Sequence, residues 1–149
     1  MSAELAWAIK ASFVRYVGSA GGNISVAPPT EWVNGRFVFP LADRCPTEGG
    51  VKLTFDGEVA LSAYDGLLDV QIADLTVLLD GEGGVVSAAR LDRSQRYDLA
   101  HLTRRAPAGA DIPVGFDAVL PESAVGLFGD VYPAGTLLDP LFLTRDSFE

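Results

Sequence analysis

The stretch Val51-Lys52-Leu53-Thr54-Phe55-Asp56-Gly57-Glu58-Val59-Ala60-Leu61-Ser62-Ala63, then Tyr64-Asp65-Gly66-Leu67 and Leu68-Asp69-Val70-Gln71-Ile72, decides the fold class. Val51, Leu53, Phe55, Gly57, Val59, Leu61 and Ala63 share one parity, with mainly polar or small residues between them. A period of two is the signature of a half-buried strand, so a long strand is expected here, with a bulge at Gly57. Asp65-Gly66 divides this run from a second one, Leu68, Val70 and Ile72, which is a strong local hairpin signal. The centre of the chain is therefore an antiparallel β-ribbon.

Working outward, the same pattern recurs. Asn23 to Ala27 alternates and is stopped by Pro28-Pro29, and Arg36 to Phe39 is a short strand closed by Pro40. Val77 to Leu79 leads into the turn Asp80-Gly81-Glu82-Gly83-Gly84, followed by strand-like runs at Val85–Leu91, Tyr97–Leu102, Ile112–Leu120 and Leu141–Leu143. Pro121 to Gly129 reads as a short helix, with Pro in its first turn and Gly at its end. At the start, Ser2 is a plausible N-cap, and Leu5, Ile9, Phe13 and Val17 at i, i+4 spacing predict an amphipathic helix. Tyr16 falls within that stripe beside Ser12 and Phe13, while Trp7 and Val14 give the helix a second apolar side. That second side leaves a homodimer open. The expected architecture is mainly β: an antiparallel β-sandwich or partly closed barrel with an N-terminal helix and a short C-terminal helix.

At 149 residues the chain has the usual size of one domain, and residues 1–149 are expected to form one. The net charge of −9 disfavours nucleic acid or an anionic membrane as partner, since a surface so acidic repels phosphate. No apolar run reaches the roughly 18 residues a membrane span needs. No basic-then-apolar leader opens the sequence, so a cytoplasmic location is the expectation. Cys45 is the only cysteine, which excludes an internal disulfide, and it reads as a loop thiol.

Several familiar sites are missing: the sequence has no G-x-S-x-G, no phosphate-binding G-x-x-x-x-G-K-[ST] and no H-E-x-x-H. A single histidine, His101, rules out any site built from two. Three blocks do resemble a known family. Leu5-x-Trp7-x-x-Lys10-x-Ser12-Phe13-x-x-Tyr16-Val17 resembles the opening of the HtaA domain, found in actinobacterial haem-uptake proteins. Phe55-Asp56-Gly57-Glu58-Val59 through Asp65-Gly66-x-Leu68-Asp69 resembles its central hairpin, and Tyr132-Pro133-Ala134-Gly135-Thr136-x-Leu138-Asp139-Pro140 its C-terminal motif. The blocks keep the family's order across nearly the whole chain.

The resemblance implies a β-rich haem-binding domain in which Tyr16 is the ligand to ferric iron, with Tyr64, Ser12 and Phe13 beside the haem. A phenolate is a hard anionic ligand suited to Fe(III). The family places a histidine in the central hairpin as donor to that phenolate; here Tyr64 stands in its place, which can donate a hydrogen bond but carries no positive charge at neutral pH. His101 is the one residue that could replace it, and Lys10 and Arg15 are candidates for the propionates. An alternative reading keeps an apolar pocket but not haem: another hydrophobic small molecule is bound, or is isomerised or cyclised, with Tyr16, Tyr64 and Asp65 as acid–base groups.

Overall fold

The computed structural model describes residues 3–106 and 112–148. Their strands are β1 (Glu4–Trp7), β2 (Asn23–Ala27), β3 (Glu31–Val33), β4 (Arg36–Thr47), β5 (Gly50–Phe55), β6 (Glu58–Ala63), β7 (Leu68–Asp80), β8 (Gly83–Ala89), β9 (Arg96–Arg104), β10 (Val114–Val119) and β11 (Leu141–Leu143). One α-helix, α1 (Ala11–Ser19), lies between β1 and β2, and a 3-10 segment, Glu122–Phe128, between β10 and β11.

The ladder runs β7-β5-β4-β1-β11-β10-β9-β8 and returns to β7 through the β7–β8 pairing, so these strands close a barrel in which every neighbour is antiparallel. The barrel half of the expected architecture holds, and it is fully closed. β6 and β2 extend the ladder from the first half of β7, and β3 attaches to β4. A barrel of this strand number has an interior that side chains can fill, and it is filled here by Trp7, Phe37, Phe39, Leu53, Phe55, Phe116 and Leu141 among others.

Four expectations are corrected. The N-terminal helix begins only at Ala11; Glu4–Trp7 form β1, clamped between β4 and β11, and Ser2, read as the N-cap, lies outside the described residues. Leu5 lies opposite Phe39 and Leu143, and Trp7 opposite Phe37 and Leu141. All are buried, so two ladders and a core override the i, i+4 stripe. Ile9, with φ 63°, breaks the chain between β1 and α1. β4 is not closed at Pro40 but continues to Thr47; a register shift between Leu41 and Asp43 follows the proline, and Cys45 thereby sits in a strand opposite Lys52, exposed. The expected long strand is divided at Asp56-Gly57 into β5 and β6, both of which pair with β7. Leu68–Ile72 leads into Val77–Leu79 as expected, in one strand, β7, whose register shifts between Ala73 and Thr76, where Asp74 has φ 47°.

Candidate functional site

Tyr16 and Tyr64 reach the same point from segments 48 residues apart, and their hydroxyls are 2.8 Å apart in a hydrogen bond that either can donate. The rings are tilted at 50° with centroids 6.2 Å apart. Three local features bring them there. Phe13, Val14 and Val17 bury the inner face of α1, which leaves Tyr16 on its outer flank. Gly22 follows the helix, and a Cβ there would lie 2.4 Å from the Ser62 carbonyl oxygen, so glycine alone lets the helix end meet β6. At this same end of β6, Tyr64 and Asp65 both take left-handed backbone (φ 53° and 54°), an uncommon conformation for a bulky residue that costs about 1–2 kcal/mol. Ala63 still pairs with Leu68, so this turn joins β6 directly to β7.

The pair is not buried: Tyr16 is 39% and Tyr64 50% exposed. Around it lies an apolar shelf. Phe13 packs on Phe128 at 4.7 Å and on Tyr132 at 6.1 Å, both between ring centroids. Lys10 Nζ sits 5.2 Å from the Tyr132 ring centroid and donates to the Leu137 carbonyl at 3.4 Å. Trp7 Nε1 donates to the Asp139 carbonyl at 2.7 Å, which ties the segment after Tyr132 to the strand before α1. Leu67, on the same turn as Tyr64, and Val131 and Leu137, flanking Tyr132, are exposed hydrophobic residues. Exposed apolar area of this kind marks a binding surface more often than chance.

Electrostatically the site favours the protonated form of Tyr16. The hydrogen bond to Tyr64 is the main cause that raises the Tyr16 pKa above the ordinary value of 10.0; desolvation and the other phenols add to it. At neutral pH Tyr16 is therefore a neutral phenol.

Of the residues singled out from sequence, Tyr16, Tyr64 and Phe13 are brought together. Ser12 is exposed on α1 one turn before Tyr16, and Arg15 is exposed on the same helix. Lys10 is held against Tyr132. Asp65 is exposed at the hairpin tip and, among the described residues, makes no hydrogen bond to either tyrosine, so the acid–base trio is not assembled. His101 is also placed apart from the pair. It is exposed on β9 opposite Val85 and Val119, its neighbours Ala100 and Leu102 being the buried ones. Phe128, Leu67 and Leu137, which line the shelf, carry no site signal of their own in the sequence. The Tyr132–Pro140 motif was the one available signal. Among the described residues no group of three or more His, Cys, Asp or Glu could hold a metal ion, and no helix is long and apolar enough to cross a membrane.

Comparison with known proteins follows the same lines. The C-terminal domain of HtaA from Corynebacterium glutamicum superposes with a TM-score of 0.77 and 25% identity, over 97% of this chain and 96% of the other. The N-terminal domain of the same protein gives 0.78 and 22%, over 97% of each chain. The heme-binding protein HtaB of that organism gives 0.71 and 22%, over 96% and 91%. No curated protein matches by sequence. The HtaA family model, described as Htaa, matches residues 2–144, and the chain belongs to the HtaA family.

Proposed function

We propose that the chain binds ferric haem on the shelf around Tyr16, with the Tyr16 phenolate as iron ligand and Tyr64 as hydrogen-bond donor to its oxygen. The observation that carries this reading is the 2.8 Å Tyr16–Tyr64 hydrogen bond at an exposed, apolar surface, in a member of the HtaA family. The donor set suits the group: two phenols meet at this point, and as phenolate one of them is a hard anion matched to Fe(III). When bound, haem supplies an Fe(III) centre and a flat apolar face. The chain's residues do the rest. Tyr16 would release its proton to the solvent it faces, and Tyr64 would turn its O–H toward the phenolate oxygen that remains. Tyr132, Leu67 and Leu137 offer apolar contact, and Lys10 and Arg15 would meet the propionates. Tyr64 occupies the place that the family gives to a histidine, so the phenolate receives a neutral donor.

Adding ferric haem to the protein should give a stoichiometric Soret shift and a tyrosinate charge-transfer band. Tyr16→Phe should remove the band and weaken binding roughly tenfold or more, the loss of one good ligand. An unchanged spectrum in that variant would show that the iron is held elsewhere.

A further inference from the structure

We propose that the Tyr16–Tyr64 pair also binds a small ferric chelate without haem, both phenolate oxygens holding one Fe(III) ion side by side while a carboxylate chelator fills the rest of its shell. The inference goes beyond the haem reading and does not rest on it. In haem the porphyrin fills the ring of positions around the iron, so this side of it takes one protein ligand and Tyr64 is only a donor. A ferric ion without a porphyrin has adjacent positions to fill, and here two oxygens meet them.

Geometry is the first argument. Two oxygens on adjacent corners of an octahedron with bonds of roughly 2.0 Å lie about 2.8 Å apart. The two hydroxyl oxygens are 2.8 Å apart before any ion arrives. Hydrogen-bonded hydroxyls often have that spacing, so the surroundings of the pair decide the matter. The ring centroids are 6.2 Å apart, so the rings splay while their oxygens converge. Each hydroxyl bonds only to the other, and both residues are exposed, so an ion with its chelator can reach the oxygens. The two carriers are fixed independently: α1 by its buried Phe13, Val14 and Val17, the turn by the Ala63–Leu68 pair that closes it. Ligands held at the required spacing in advance need little further ordering on binding.

Ligand chemistry is the second argument. Among the described residues no group of His, Cys, Asp or Glu competes for a metal ion, so the phenols are the available donors. As each phenol binds, its O–H breaks and its oxygen bonds to iron; both protons pass to the buffer, two waters leave the iron, and its oxidation state is unchanged. An ordinary phenol ionises near pH 10, so only a strongly polarising ion displaces the two protons at neutral pH. Mg²⁺ and Ca²⁺ take oxygens that are already charged, which selects against them here. The chelator's free carboxylates have a cation to meet. Lys10 is held against the ring of Tyr132, and the Tyr132 phenol acts electrostatically on Tyr16.

Ferric nitrilotriacetate is the probe. Titrated into the haem-free protein, it should raise a visible phenolate-to-iron charge-transfer band that saturates at one iron per chain. Tyr64→Phe separates the two cargoes. It should bind the ferric chelate at least about tenfold more weakly, the scale of one lost ligand, yet keep the tyrosinate band with ferric haem, which uses Tyr16 alone. Tyr16→Phe should lose both. Gallium nitrilotriacetate, which is colourless, counts the ligands in the wild-type protein: the near-ultraviolet difference absorbance should match two ionised tyrosines per ion. That count decides the matter even if a variant fails to fold. No band with the wild type, one ionised tyrosine per ion, or unchanged chelate binding in Tyr64→Phe would overturn the proposal. Chelate binding through both tyrosines in a protein that ignores haem would sink the haem reading and leave this one standing.

Discussion

Tyr16 and Tyr64 share one hydrogen bond between two identical groups, and the direction of that bond sets their chemistry. In the free protein Tyr16 is held above its ordinary pKa mainly by this bond, which either hydroxyl can donate. Ligation of haem iron requires one of the two directions, with Tyr64 donating. Removing the partner should therefore be visible without haem. In Tyr64→Phe the ionisation of Tyr16, followed by near-ultraviolet phenolate absorbance, should move down toward 10.0, because its largest upward cause is gone. An unmoved midpoint would mean that the bond is not formed in solution. The reverse substitution tests the neutral donor. Tyr64→His offers an imidazolium at acidic pH, and hydrogen bonds from charged donors are about twice as strong as neutral ones, so ferric haem should be held roughly tenfold more tightly there. The advantage should fade as pH rises through about 6.5, where the imidazole loses its charge. Competition with a haem scavenger across that range measures it; a difference independent of pH would assign the effect to shape.

At the level of elements, the junction of β5 and β6 is where one residue type decides the path. Gly57 has φ 107°, and a Cβ built on it would lie 1.6 Å from Thr30 Oγ1. Thr30 is buried and donates its hydroxyl to the Asp56 carbonyl at 3.2 Å, so it cannot simply turn away. Gly57→Ala combines a forbidden φ with overpacking and should lower stability by about 2–4 kcal/mol in urea denaturation. A loss below about 0.5 kcal/mol, the usual range of a surface change, would show that the junction relaxes freely. Gly57 was legible in the sequence because it interrupts a period-two run. The other strands that were read correctly share that property: alternation inside, Gly, Pro or Asp-Gly at the ends. β1 was not legible for the opposite reason. Leu5 and Ile9 continue the i, i+4 spacing of Phe13 and Val17, and the partners that make the segment a strand, Phe39 and Leu143, lie far along the chain.

For the molecule as a whole, the barrel is complete without the shelf, whose tyrosines stand outside the filled interior. Nothing in local pattern could have joined Tyr16 to Tyr64 across 48 residues; the family resemblance did so. A site outside a packed barrel has a thermodynamic consequence. Haem that binds this folded arrangement, and not the unfolded chain, stabilises it by RT ln(1 + [L]/Kd), about 2.7 kcal/mol at a hundredfold excess over Kd. In a domain of 149 residues each kcal/mol moves Tm by about 2–4 °C, so the shift should be roughly 5–10 °C. Tyr16→Phe should lose most of it while keeping nearly the same Tm without haem, since Tyr16 is partly exposed and its hydroxyl bonds only to an exposed partner. Thermal melts of both proteins, with and without ferric haem, separate the outcomes. Equal shifts would place the haem away from Tyr16; a large drop in the haem-free Tm would make the tyrosine pair part of what holds α1 to the β6–β7 turn.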